Sequence, residues 1–360
     1  MPEGDVLRLT AERLGAALGG SPLVRAELRW PSVAGADLVG RTLVESTAYG
    51  KHLLLRLDAG PNLTPHGAGP RTGAAPPTRG TVRPGESPRD TTEQVGESRN
   101  TSAVPRPGVP PRSDEASRSA RQEASSARSG RLGSTTPASR AGGWTLHTHL
   151  RMDGFWRVHR TGSREAAGRS PAVRAVLATS TWTCVGWHLG MLDLLRTRDE
   201  HTLLAGLGPD VLADAFASSG PTAHGGVDEG VRRLLVAPQR PVCVALLDQR
   251  VVAGLGTIWM AESLFAERLW PWTPVGVLDA RRVRGLLLTA SRLVGASVTV
   301  ARRAGLGAVE RRVHGRHRGP CVRCGTPIAL GSTRGQDVRP DQGALERVVY
   351  WCPRCQAPGA

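Results

Sequence analysis

Lysine is almost missing from this 360-residue chain. Of its 47 basic residues, 46 are arginine, and the one lysine is Lys51, in Tyr49-Gly50-Lys51-His52-Leu53-Leu54. A chain that uses arginine everywhere else keeps a lysine where a compact, flexible ammonium is needed and a planar guanidinium will not serve. Long apolar runs are also missing: none reaches the roughly 20 residues of a transmembrane helix, so no membrane partner is expected. The start is acidic at Glu3 and Asp5 with no basic-then-apolar signal after it, which predicts a cytoplasmic location. Cysteine is scarce. Four of the six cysteines form two Cys-x-x-Cys pairs, which in a reducing compartment favours metal binding over a disulfide framework. Cys184 and Cys243 lie among apolar residues and read as small core side chains.

Positive charge is abundant. The formal net charge is +16, and residues 60–142 hold twelve arginines against seven acids, so eleven of those charges belong to the rest of the chain. Such an excess suits a phosphate backbone as partner.

The chain is long enough for two or three domains. Residues 6–18 carry helical spacing in Val6, Leu7, Leu9, Leu14 and Leu18. Strands are predicted over 23–30, 41–47, 51–57, 144–150, 155–159, 172–177, 181–185 and 192–196. Leu207–Leu212 reads as a sheet exit into a short helix. Helical texture follows over 231–235, 242–247, 258–268 and 280–300, and a Gly-rich tail bears the paired cysteines. From about Gly60 to Gly143 the pattern stops in Pro, Gly, Ser, Thr and Arg, a composition that cannot bury enough surface to order itself. Order resumes at once in Trp144–Leu150, so 60–142 reads as an insertion between two neighbouring strands. The predicted domains are 1–215, β-rich and catalytic; 216–312, helical; and 313–360, a small metal module.

Several groups carry chemistry. Pro2, once Met1 is removed, presents a secondary amine whose ordinary pKa of roughly 7.7–8 leaves a usable unprotonated fraction. Glu3 stands beside it as a proton donor or acceptor. An amine, a carboxyl and a retained lysine suit attack on a sugar carbon through an iminium. Cys321, Cys324, Cys352 and Cys355 can close a tetrahedral site for one Zn²⁺, structural because no coordination position stays open. Gly254-Leu255-Gly256-Thr257 separates two helical stretches and can bring backbone N–H groups to a phosphate, with Thr257 as an N-cap. Arg151-Met152 at a strand end can wedge into a base stack, although spacing alone equally fits a core methionine.

Together these residues resemble the formamidopyrimidine-DNA glycosylase/endonuclease VIII family. The resemblance rests on Pro2-Glu3-Gly4-Asp5, Gly50–Leu54, His149-Leu150-Arg151-Met152-Asp153-Gly154, Leu246–Gln249 with Val252–Gly256, and Arg347 through Tyr350–Gln356. It spans nearly all of the chain outside 60–142. It implies an α+β fold: an N-terminal two-layer β-sandwich with flanking helices, a helix–two-turn–helix domain and a C-terminal zinc finger. It also implies a monomer that works on damaged DNA at the nucleoid. Pro2 would attack C1′ of the damaged nucleotide and Glu3 would move the proton that opens the sugar. Lys51 and Arg347 would bind phosphate, and Arg347 would sit on a finger hairpin. Met152, beside Arg151, would fill the space left by the flipped base. The segment Gly254, Gly256 and Thr257 would clamp phosphate.

Four features depart from the family. Thr257 stands where Asn is usual. His188-Leu189-Gly190 replaces an Arg-Phe-Gly loop, which with Asp5 and Trp156-Arg157-Val158 turns the expectation toward oxidised pyrimidines and the endonuclease VIII branch. The 60–142 insertion and the extra finger residues near 331–344 are additions. The expected activity is a bifunctional glycosylase and abasic-site lyase with β,δ-elimination. Two other classes stay open at this stage: a catalytically silent DNA-binding protein on the same scaffold, and a zinc-ribbon factor, which leaves the β-rich half unexplained.

Overall fold

The computed structural model describes residues 2–60, 142–218, 225–336 and 346–359. The expected insertion therefore lies, except at its edges, outside the described residues, as do 337–344 of the finger.

Helix α1 (Gly4–Leu18) opens the chain. Eight strands follow: β1 (Arg25–Leu28), β2 (Leu43–Tyr49), β3 (His52–Leu57), β4 (Trp144–His149), β5 (Phe155–Arg160), β6 (Val173–Ala178), β7 (Trp182–Trp187) and β8 (Met191–Arg196). They form two antiparallel four-stranded sheets, ordered β2-β3-β4-β8 and β1-β6-β7-β5. Alternation along β3 points Leu53, Leu55 and Leu57 inward, where they meet Leu146 and Leu192 of their own sheet and Ala175, Leu177 and Cys184 of the other. Each buried leucine there contributes roughly 2 kcal/mol of transfer free energy. Helix α1 lays Leu7, Ala11, Leu14 and Leu18 against the same core and turns Leu9 to the opposite side.

Strand β3 pairs directly with β4, with Leu57 opposite Trp144. The edges of the insertion are thus already neighbours in one sheet.

After β8 come a short turn of helix, α2 (His201–Leu204), then α3 (Val227–Leu235), α4 (Val242–Leu247), α5 (Thr257–Ala266) and α6 (Ala280–Ala304). The helix expected after Leu207 does not form. Instead Asp210 makes an isolated bridge to Ala253, and its carboxylate accepts from Leu212 N and Gly50 N. Helix α6 is capped by Asp279, whose side chain accepts from Arg282 N. It also corrects the expectation about apolar runs: by length and composition, with mean hydropathy 1.3, it could cross a membrane. Five of its six arginines crowd its two ends, which leaves the middle apolar. That middle packs Val283, Leu286, Leu287, Ala290 and Val294 into the helical core, and Val298 and Ala301 against Leu9 of α1.

Strands β9 (Ala329–Ser332) and β10 (Val348–Trp351) form an antiparallel hairpin. The finger is not a separate core. Ile328, Val349, Trp351 and Cys352 join the helical cluster with Trp259, Phe265 and Leu286, as do Val211 and Phe216. Trp272 donates to Ser332 O and meets Trp351 edge-on at 4.8 Å. Hydrophobic packing thus runs across the boundary expected at 312/313, and the helical core begins slightly before 216.

Candidate active site and nucleic-acid interface

The N-terminus of α1 is pinned to the segment before α5. Gly4 N donates to Gly254 O at 2.9 Å. Gly50, in the β2–β3 turn at φ +55, lies so close that a Cβ there would stand 2.8 Å from Ala253 Cβ. Gly254 itself has φ +101, a conformation open to glycine at little cost. Asp210, 4% exposed, ties the junction from beneath. Tyr49 Oη donates to Gly208 O. Pro2, Glu3 and Lys51 are thereby brought to one corner by backbone contact.

Glu3 is the best-fixed group in that corner. It is 1% exposed, and its carboxylate accepts from Gly256 N at 2.8 Å, Ile258 N at 2.8 Å and Trp259 N at 3.2 Å. It caps α5 from 250 residues away, where a negative charge meets the positive end of the helix. A Cβ on Gly256 would stand 2.4 Å from that carboxyl carbon, so glycine is the residue that fits. Burial raises Glu3 to about 6, against the pull of Lys51 and the N–H groups. Asp5, next on α1, accepts from Trp259 Nε1 at 3.0 Å and Ser297 Oγ at 2.7 Å and locks α1 to α5 and α6.

Lys51 is 5% exposed. Burial lowers it to about 8; Glu3 and Asp5 pull it back up and Arg347 pushes it further down. No hydrogen bond or ion pair holds its ammonium among the described residues. Arg347 stands at the start of β10, with backbone bonds to Thr333 and no partner for its guanidinium among the described residues. Lys51 thus lies in the field of two buried carboxyls, Glu3 and Asp5, and of the Arg347 guanidinium, with no direct ion pair to any of them. Pro2 is half-buried beside Glu3.

The glycine segment works differently from the sequence expectation. Gly254 N donates to Gln249 Oε1 and Gly256 N to Glu3, so neither N–H is left for a phosphate. Gly256, not Thr257, takes the N-cap position. Thr257 is the residue whose hydroxyl has no partner among the described residues, so an anion here would meet Thr257. Gln249, whose amide also donates to Leu247 O and Leu255 O, holds the two turns together.

Met152 is 54% exposed at the tip of the turn after β4, which excludes the core-methionine alternative. Arg151 sits at φ +50, its N–H bonded to His149 Nδ1 at 2.9 Å, and its side chain lies over Gly190. His188, exposed, and Leu189, buried, complete the neighbouring loop. His149 belongs to a histidine cluster. His52 Nδ1 lies 2.8 Å from His147 Nε2, and His147 Nδ1 lies 3.3 Å from Asp193. Burial lowers His52 to about 3 and His149 to about 4, so both rings are neutral at neutral pH, and His149 Nδ1 is the acceptor for Arg151 N–H.

Cys321, Cys324, Cys352 and Cys355 bring their sulfurs within 4.8 Å of one another. Cys321 and Cys355 are 3.9 Å apart, Cys324 and Cys352 3.5 Å. A tetrahedral ion bound at about 2.3 Å needs edges of about 3.8 Å, so this set could hold one metal ion. Backbone N–H groups of Arg323 and Cys355 point at the sulfurs, and Gln356 ties Cys352 N to Leu269 O.

Sequence reasoning missed Asp210, Gln249's clamp, Trp259, Ser297 and Glu262. Glu262, buried in α5, accepts from Arg312 N, Val313 N and His314 N and fixes the entry to the finger. An acid inside the apolar run of α5 was the available signal.

No family model matches the chain. A probable endonuclease 8 2 from Streptomyces coelicolor is 31% identical over 359 residues, 99% of this chain and 94% of the relative. A DNA-(apurinic or apyrimidinic site) lyase from Mycolicibacterium smegmatis is 29% identical over 361 residues, covering 99% of each chain. In fold the chain is similar to the formamidopyrimidine-DNA glycosylase of Lactococcus lactis solved with DNA containing an abasic site, with TM-score 0.62, 15% identity and 99% of each chain covered. The Thermus thermophilus protein gives 0.59 at 22% identity over the whole of both chains. With a relative 31% identical and covered over 94% of its length, the chain belongs to the formamidopyrimidine-DNA glycosylase/endonuclease VIII family.

Proposed function

We propose that this protein is a DNA glycosylase and abasic-site lyase that removes oxidised bases, pyrimidines first among them, and then cuts the strand. The observation that carries this reading is Glu3. It is the neighbour of Pro2, it is held by three N–H groups, and burial brings it to about 6, where it can give or take a proton near neutral pH. Phosphate binding alone needs no such group, which argues against the catalytically silent reading.

With Met1 removed, the Pro2 nitrogen would attack C1′ of a nucleotide turned out of the stack. The base leaves with a proton, and Glu3 supplies the proton to O4′ as the sugar opens to an iminium. Loss of a proton at C2′ then expels the 3′ phosphate, loss of a second at C4′ expels the 5′ phosphate, and water frees Pro2. Lys51, Arg347 and Thr257 would hold the flanking phosphates; the lack of a hydrogen bond or ion pair on either cation among the described residues supports this. Met152, raised on its turn beside Arg151, would fill the gap in the stack. His188-Leu189-Gly190 offers one exposed ring for the opposite base, which favours pyrimidine lesions. The four thiolates fit one Zn²⁺ in spacing and donor type, and that ion would fix the finger that carries Arg347. The workplace is the cytoplasmic nucleoid, with one chain per lesion.

Borohydride trapping on a duplex with a single abasic site tests the reading. A covalent protein–DNA adduct is expected, and binding without an adduct would overturn it.

A further inference from the structure

The outer face of the second sheet carries a groove that the proposed chemistry does not use. Strand β5 turns Trp156 and Val158 to the core and so presents Phe155, Arg157 and His159 outward. Segment 162–169 stands beside that face. The groove between them has a volume of about 930 Å³ and is lined by Phe155, Arg157, His159, Arg164, Arg169 and Trp187.

Four features separate this groove from an ordinary solvated face. Phe155 and Trp187 stack at 6.2 Å with 10° between their planes, and Phe155 stays 37% exposed. Arg157 lies over the Phe155 ring at 5.2 Å. The guanidinium groups of Arg157, Arg164 and Arg169 have no carboxylate or hydrogen-bond partner among the described residues, and Glu165 is the one acid in the lining. At the far edge of the same sheet the pattern is opposite: Arg25 and Arg29 are both paired with Glu27. The indole N–H of Trp187 is buried without a partner among the described residues.

Position adds to composition. Phe155 directly follows the Met152 turn, and Trp187, its partner across the ladder, directly precedes His188. The groove therefore begins where the wedge stands. Aromatic rings interleaved with unpaired arginines suit a strand whose bases are open for stacking. Bases inside a duplex offer no free faces, and an acidic peptide would leave the rings without a partner.

We propose that this groove is an accessory site for single-stranded DNA, taking unpaired nucleotides that continue past the wedge. The inference rests on the DNA-repair reading above, and it predicts a preference for lesions next to gaps, tails or bubbles.

The test uses the full chain and two abasic substrates, a blunt duplex and the same duplex with a single-stranded tail beside the lesion. The wild type should bind the tailed substrate more tightly. In Arg157→Gln/Arg164→Gln/Arg169→Gln the tail's advantage should vanish and its salt slope should fall by about two, from roughly 0.7 per phosphate contact. In Phe155→Ala, with the arginines intact, affinity for the tailed substrate should drop about tenfold. Adduct yield on the blunt duplex should not change in either variant. The proposal is overturned if the tail gives the wild type no advantage, or if both variants keep it. It is also overturned if polyglutamate competes for the groove as well as oligothymidylate does, which would assign it to an acidic protein segment. If the blunt duplex yields no adduct while tail binding still falls in the variants, the catalytic reading fails and this one stands.

Discussion

Glu3→Gln is the change whose consequence the geometry sets most tightly. In the folded protein the carboxyl titrates at about 6 against an ordinary 4.5, so the folded state binds the proton more tightly than the unfolded chain. The stabilisation from that proton is complete below about pH 4.5 and is lost as pH rises through about 6. A shift of this size amounts to about 2 kcal/mol. Glutamine does not titrate and escapes that loss. Its amide stands in for the protonated carboxyl, because its NH₂, like the acid O–H, would face one of the three N–H groups. The two proteins are therefore alike where Glu3 is protonated and differ where it is charged. Urea unfolding of both proteins from pH 4.5 to 7 reads the difference. The variant should match the wild type within about 1 kcal/mol at pH 4.5 and exceed it by about 2 kcal/mol at pH 7. Parallel stability curves across this window would refute the assignment of a raised carboxyl to Glu3. The same variant should lose base excision more than abasic-site cleavage, because an abasic sugar is already partly open.

Lys51→Met should raise stability at pH 7 by about 3 kcal/mol, since burial holds the ammonium down at about 8; a depressed lysine makes the wild type gain stability from pH 8 to 10.5, and the variant should show no such rise in pH-dependent melts. Cys355→Ser should release bound metal and weaken DNA binding, whereas Arg347→Ala should keep the metal and lower the salt slope by about one, read by metal content and anisotropy. Replacing 61–141 by a short turn should leave folding intact, because Leu57 and Trp144 are already paired and loop length costs little; loss of cooperative unfolding would make the insertion part of the core.

Local pattern carried far. Alternation in β4 revealed a strand where order resumes after the insertion, because half-buried strands show a period of two. The paired cysteines announced their cluster through spacing. The retained Lys51 was legible because every other basic residue is arginine. What stayed hidden depends on contacts between distant residues. Glu3 caps a helix that begins at Thr257, so the glycines of 254–256 looked free for phosphate when their N–H groups belong to Gln249 and Glu3. Leu207–Leu212 looked like a sheet exit into a short helix because the partners of Asp210, Gly50 and Leu212, lie one in a remote turn and one in an irregular segment. The finger looked independent because sequence shows its metal ligands and not the Trp272–Trp351 contact that merges its core with the helices. The apolar middle of α6 was broken up by Arg292 and by arginines at both ends, and only its neighbours reveal it as a core helix.

The central claim is that the chain end attacks the sugar. Borohydride-trapped protein on abasic DNA, digested and mapped by mass spectrometry, tests it directly. The adduct should sit on the N-terminal peptide, at Pro2, and Pro2→Gly should lose base excision while binding DNA nearly as well as the wild type. An adduct mapped to Lys51, or full excision by Pro2→Gly, would contradict the account.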